Sequence, residues 1–98
     1  MSDNQVELTG EVIEREALRF SPAGIPILAF RLRHSSTQSE AQRARQVDFE
    51  IDAMAAGETA QRLQALQTGQ RVRLQGFLTA RSRLSSRIVV HVNRIEFE

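Results

Sequence analysis

Ninety-eight residues, 41% hydrophobic and 26% charged, suit one small globular domain spanning 1–98, with enough chain for one core and not two. The absence of cysteine excludes disulfide frameworks, Fe–S clusters, thiolate zinc sites and cysteine nucleophiles, and apolar runs of only a few residues exclude a membrane span. All 13 cationic residues are arginine against 12 acids, and they are unevenly placed: residues 1–58 hold 6 arginines and 10 acids (net −4), whereas 59–98 hold 7 arginines and 2 acids (net +5).

The N-terminal Met1-Ser2-Asp3-Asn4-Gln5 lacks the basic flank and apolar stretch of a signal peptide, so a cytoplasmic location is expected. Val6, Leu8, Gly10 and Val12 then alternate with Glu7, Thr9 and Glu11, the period of a half-buried strand. The alternation blurs from Ile13 to Phe20, as a bend or bulge would make it. Ser21-Pro22-Ala23-Gly24 reads as a turn, proline presetting one dihedral and glycine at the fourth position. A second strand places Leu28, Phe30, Leu32 and His34 on one face and Ala29, Arg31 and Arg33 on the other. Residues 35–46 are polar throughout and predict a long exposed loop. Val47, Phe49 and Ile51, alternating with Asp48, Glu50 and Asp52, make strand three.

Between Ala53 and Gly69 the period changes, and Ala60, Leu63 and Leu66 share one face of a short helix over 58–67 that caps a barrel end. Val72 and Leu74 alternate with Arg71, Arg73 and Gln75 in strand four, with Gly76 a natural place for a bend or bulge. Arg81 to Arg87 interrupts the pattern as a loop, and Ile88, Val90 and Val92 open the last strand. Five strands with one helix between the third and fourth is the order of an OB-fold barrel. Gly10 and Gly76 would allow its tight coiling; an SH3-like barrel or an open sheet with one helix also fits the pattern.

Two stretches carry a resemblance to a known family. Ser21-Pro22-Ala23-Gly24-Ile25-Pro26 precedes a strand ending Leu32-Arg33-His34, and Gly69-Gln70-Arg71-Val72-Arg73-Leu74-Gln75-Gly76-Phe77-Leu78 precedes a basic loop. In order, spacing and overall length they resemble the primosomal replication protein N (PriB) family, OB-fold relatives of single-stranded DNA-binding proteins. The resemblance implies a homodimer that binds single-stranded DNA and helps reassemble the replication machinery at stalled forks. It also implies contact with the PriA helicase and with DnaT, and stimulation of a replication-restart helicase. Where the family's best-known member has a strand-three tryptophan and a loop phenylalanine, this sequence has Asp48 and Arg43, and it has no Trp or Tyr. Electrostatics should therefore carry more of the binding than base stacking.

Arg81, Arg83 and Arg87 are the main candidates for phosphate contact, because the planar guanidinium fork donates paired hydrogen bonds to phosphate oxygens. A solvated charge run at a hairpin tip is the alternative, and Leu84 between them either meets a base or packs on the barrel. Arg19 and Arg45 match basic positions of the family, and Arg43 assists from the loop; ordinary surface charge explains each equally well. Arg31 and Arg33 on strand two face Asp48, Glu50 and Asp52 on strand three if these strands pair antiparallel, which makes cross-strand ion pairs of them. Arg31 is read as structural on that ground, and Arg33, nearer the strand's open end, is undecided.

Phe77 points outward by strict alternation, as a base-stacking side chain, unless a bulge at Gly76 turns it inward; the core position is preferred. Phe20, Phe30, Phe49 and Phe97 are read as core or interface residues. Asp48, Glu50 and Asp52 resemble a hard-cation set, but ligands two apart on a flat strand diverge, so no metal is expected. His34 and His91 lie in no nucleophile constellation and are read as polar surface or strand positions. No cofactor and no catalytic group are implied, and the protein is expected to be a binding protein rather than an enzyme. A protein-interaction module with incidental DNA affinity and an RNA-binding OB domain are the other readings.

Overall fold

The computed structural model describes residues 2–98. Strands β1 (Val6–Arg15), β2 (Arg19–Phe20), β3 (Pro26–Glu40), β4 (Arg43–Ala56), β5 (Arg71–Ala80) and β6 (Ile88–Phe97) form one sheet, with helix α1 (Glu58–Arg62) between β4 and β5. The sheet order is β1-β5-β6-β4-β3-β2, and β1 pairs with β3 as well, which closes five long strands into a barrel. β6 runs parallel to β4, with Asp52 opposite Val89 and Met54 opposite His91. This is the five-stranded OB-fold with one short helix that the sequence predicts.

Alternation decides what is inside. Leu28, Phe30 and Leu32 of β3 pack in the barrel against Val12, Leu74 and Val90. Ala60, Leu63 and Leu66 close one end, all three essentially inaccessible to solvent, as their shared face predicts. α1 itself is shorter than the expected 58–67. Beyond Arg62 the chain goes on in turns, and Arg15 Nη1 donates to the carbonyls of Gln64 at 2.8 Å and Leu66 at 2.7 Å. Those carbonyls are satisfied from outside the helix, so no further helical turn is required of them.

The blurred stretch after Val12 is a bulge: the β1–β3 register shifts between Val12 and Glu14. β1 crosses β3 closely at Gly10, where a Cβ would run into the Arg33 carbonyl. Gly76 sits closer still to the His91 carbonyl, and the β5–β6 register shifts between Gln75 and Gly76. The extra residue of that bulge is Asn93, since Gln75 faces Arg94 and Gly76 faces Val92. β5 therefore keeps its alternation, and Phe77 points outward with 38% of its surface exposed, not into the core as expected. Among the other phenylalanines only Phe30 is buried. Phe20 on the two-residue β2, Phe97 at the end of β6 and Phe49 remain exposed.

Residues 35–46 are not a loop. They continue β3 and β4 as a two-stranded arm in unbroken register from Ser35↔Asp48 to Glu40↔Arg43. The arm turns on Ala41 and Gln42, whose φ values of 51° and 65° are those of a two-residue type I′ hairpin. It gives the molecule a long axis of 49 Å against 30 and 23 Å. At the arm's root His34 is buried rather than on the surface. Its Nδ1 lies 2.7 Å from the Thr9 carbonyl, which only accepts, so Nδ1 carries the proton. Nε2 then accepts from the Ser36 hydroxyl at 2.7 Å, and the ring lies against Phe49.

Candidate nucleic-acid interface

In β3 and β4 the residues out of phase with the core stand on the barrel's outward face. Antiparallel register sets Arg31 opposite Asp52 and Arg33 opposite Glu50, as the alternating rows of basic and acidic residues predict. Arg31 is fixed from two sides: Nη1 donates to Asp52 Oδ1 at 2.7 Å and Nε to Glu50 Oε1 at 3.1 Å. These contacts raise its pKa, through the hydrogen bond to Glu50 first and then the charge and hydrogen bond of Asp52, against the opposing effect of burial. Arg33 reaches Glu50 only at 3.8 Å and is mostly free.

The loop from Arg81 to Arg87 folds back over the same face. Its base is closed by the Arg81 amide donating to the Arg87 carbonyl at 2.9 Å, which sets the two side chains side by side. Both reach Asp52: Arg87 Nη2 lies 2.9 Å and Arg81 Nη1 3.3 Å from Oδ2. One carboxylate, 21% exposed, thus receives three guanidinium groups. Four arginines (Arg31, Arg33, Arg81 and Arg87) gather on two acids, Glu50 and Asp52, so the cluster carries excess positive charge. Asp48, by contrast, accepts from Gln46 and stands apart from Glu50 and Asp52, which Arg31 joins.

Arg19 joins this group. It stands on β2 opposite Ile27 and lines a shallow hollow of about 220 Å3 together with Asp52, Met54, Arg81 and Val89. It makes no ion pair among the described residues, and neither does Arg83 at the loop tip. Leu84 beside it is fully exposed, so it does not pack on the barrel. Arg43 and Arg45 lie elsewhere. Both are on the arm, nine and seven positions along β4 from Asp52, or about 23–30 Å at roughly 3.3 Å per residue. Their parity puts them on the opposite face of the strand, and Arg45 is held by Glu40 at 2.6 Å.

Sequence reading missed two features of this face. The first is the gathering of loop arginines on Asp52, which needs the parallel β4–β6 pairing that local pattern does not reveal. The second is the row Phe77–His91–Met54, set side by side by register across β5, β6 and β4. The rings of Phe77 and His91 are stacked, with centroids 5.2 Å apart. The outward alternation of Phe77 is its one local signal.

A closed barrel whose β3–β4 face lies between the turn after β1 and the β5–β6 loop presents the ligand-binding side of an OB-fold; the class is a nucleic-acid-binding OB barrel of the single-strand binding type. Residues 4–94 match the model of a family described as another single-strand binding protein family. The chain is 38% identical over 89 residues to the replication restart protein PriB of Nitrosomonas europaea, covering 91% of this chain and 82% of that one. It is 35% identical over 91 residues to PriB of Bordetella pertussis. The solved structure of PriB from Ralstonia solanacearum superposes with a TM-score of 0.88 at 34% identity, covering 99% of this chain and all of that one. The single-stranded DNA binding protein of Thermus aquaticus shares the fold, with a TM-score of 0.78 at 24% identity over half its length. The chain belongs to the PriB family of replication restart proteins.

Proposed function

We propose that this protein binds single-stranded DNA during replication restart, on the outward face of β3 and β4 and under the Arg81–Arg87 loop. The observation that supports this reading most is the cluster of four arginines on two carboxylates, flanked by the unpaired Arg19 and Arg83. Exposed ion pairs are individually weak, about 0–1 kcal/mol, so a polyanion can exchange for them. Arg33 belongs to this surface as a contact residue, whereas Arg31 serves it by holding Asp52 in place. Arg43 and Arg45 meet the same strand only if it continues onto the arm. By family membership the working form is a homodimer, and the partners are the PriA helicase, which it stimulates, and DnaT.

Fluorescence-anisotropy titration with single-stranded, duplex and RNA oligonucleotides at two salt concentrations tests this. Three to four neutralised phosphates predict a slope of log K against log salt of about −2 to −3. Equal affinity for duplex, or a flat salt response, overturns the reading, and a strong preference for RNA replaces it with an RNA-binding one. The three arginines shared by Asp52 and the absence of Trp and Tyr favour a second reading, an adaptor that captures a helicase and binds DNA weakly. Tight DNA binding with no helicase in a pull-down disposes of that alternative.

A further inference from the structure

We propose that Asp52 is an internal stand-in for a backbone phosphate: its carboxylate holds Arg81 and Arg87 until a phosphodiester of the incoming strand displaces it. This rests on the single-strand reading above and adds to it a residue that restrains binding.

The two oxygens of Asp52 have separate duties. Oδ1 accepts from Arg31 at 2.7 Å, within the β3–β4 pair, while Oδ2 accepts from Arg87 at 2.9 Å and Arg81 at 3.3 Å, both from the loop. Withdrawing the loop arginines therefore leaves the carboxylate with a partner, and Arg31 retains Glu50 as well. No unpaired buried charge is created by the exchange, which removes the usual penalty for breaking a partly buried pair. A phosphodiester carries one negative charge on two unesterified oxygens, the same forked acceptor that a carboxylate offers to a guanidinium. Arg81 and Arg87 are more than half exposed, at 54% and 59%, so a strand reaches them from solvent. They stand side by side at the closed base of the loop, a spacing at which both can turn to one anion. Arg19 and Arg83 have no carboxylate to give up, so they receive the strand first, and Asp52 is displaced second.

Asp52→Asn keeps the side chain's shape and its hydrogen bond from Arg31 but removes the competing charge. Its affinity for a single-stranded oligothymidylate at low salt should rise about three- to tenfold, the worth of one weak exposed pair or slightly more. That gain should vanish when Arg81 and Arg87 are both alanine. A second measurement needs no variant: the Asp52 carboxyl 13C resonance of the wild-type protein should move as oligothymidylate is added. Reduced or unchanged affinity in Asp52→Asn, a gain that survives loss of both arginines, or an unmoved resonance under saturating DNA overturns the proposal. Failure of the wild-type protein and of Asp52→Asn alike to bind single strands instead overturns the functional reading, and this inference with it. Binding by Asp52→Asn alone supports it.

Discussion

Phe77 lies stacked on His91 on the outward face of the barrel, ring centroids 5.2 Å apart and planes within 20°. Phe77 and Arg81 lie four residues apart in sequence, about 13 Å at roughly 3.3 Å per residue. A single strand whose phosphates run past Arg81 can thus lay a base on Phe77, whose exposed part is the only aromatic ring available on β5. Phe77→Ala should weaken binding by about 1–3 kcal/mol, the worth of one stacked base, with little change in melting temperature. Phe77→Trp should bind at least as tightly, and its fluorescence should be quenched as DNA is added. Unquenched fluorescence in a DNA-bound Phe77→Trp protein places the strand elsewhere.

Arg81, Arg83 and Arg87 contribute to binding mainly as charge. Replacing all three by alanine should flatten the salt slope by about 2, since each lost phosphate contact removes about 0.7 from it. The same change breaks two exposed pairs to Asp52 but leaves Arg31 on that carboxylate, so stability should shift by less than about 1 kcal/mol. Binding measured at two salt concentrations beside a urea titration separates the two effects.

The barrel is legible in the sequence because its strands have one wet and one dry face, so Leu28, Phe30 and Leu32 or Val72 and Leu74 announce a period of two. The arm is not, because both faces of residues 35–46 meet water and alternation has nothing to report. Its turn gives no signal either: Ala41 and Gln42 take positive φ, where Asn-Gly would be recognised. The side on which Phe77 lies is hidden because a bulge is visible at Gly76 only as a glycine; which of the two paired strands takes the extra residue is a property of the pair. The arginine and acid rows of β3 and β4 are legible as cross-strand partners, because antiparallel neighbours in sequence fix them. The capture of Arg81 and Arg87 by Asp52 depends on β4 and β6 lying parallel across the barrel, a contact between residues about thirty positions apart that no local spacing encodes.

His34 ties the arm to the barrel, donating to Thr9 of β1 and accepting from Ser36 at the arm's root. His34→Ala loses both bonds and the contact with Phe49. At about 1 kcal/mol per net hydrogen bond plus the lost packing, the cost should be about 2–3 kcal/mol. Amide exchange should quicken first in residues 35–46, whose strands pair only with each other, and later in the barrel.

Gly76 and Gly24 make opposite demands, and alanine distinguishes them. Gly24 lies in the turn after Pro22 at φ +82°, with open space where a Cβ would stand. Gly24→Ala therefore meets only backbone strain, about 1–2 kcal/mol. Gly76 needs no unusual dihedral, but its missing Cβ is where the His91 carbonyl already lies, with the Val92 Cα just behind it at 3.1 Å. Those atoms belong to β6 backbone and cannot rotate away; relief requires β5 and β6 to part, which breaks ladder hydrogen bonds on both sides of the bulge. Gly76→Ala should cost about 3 kcal/mol or more, and it should disturb the Phe77–His91 stack as well. Urea titration of the two variants should rank Gly76→Ala well below Gly24→Ala. The reverse order would mean that the barrel opens at this bulge more easily than the turn tolerates strain.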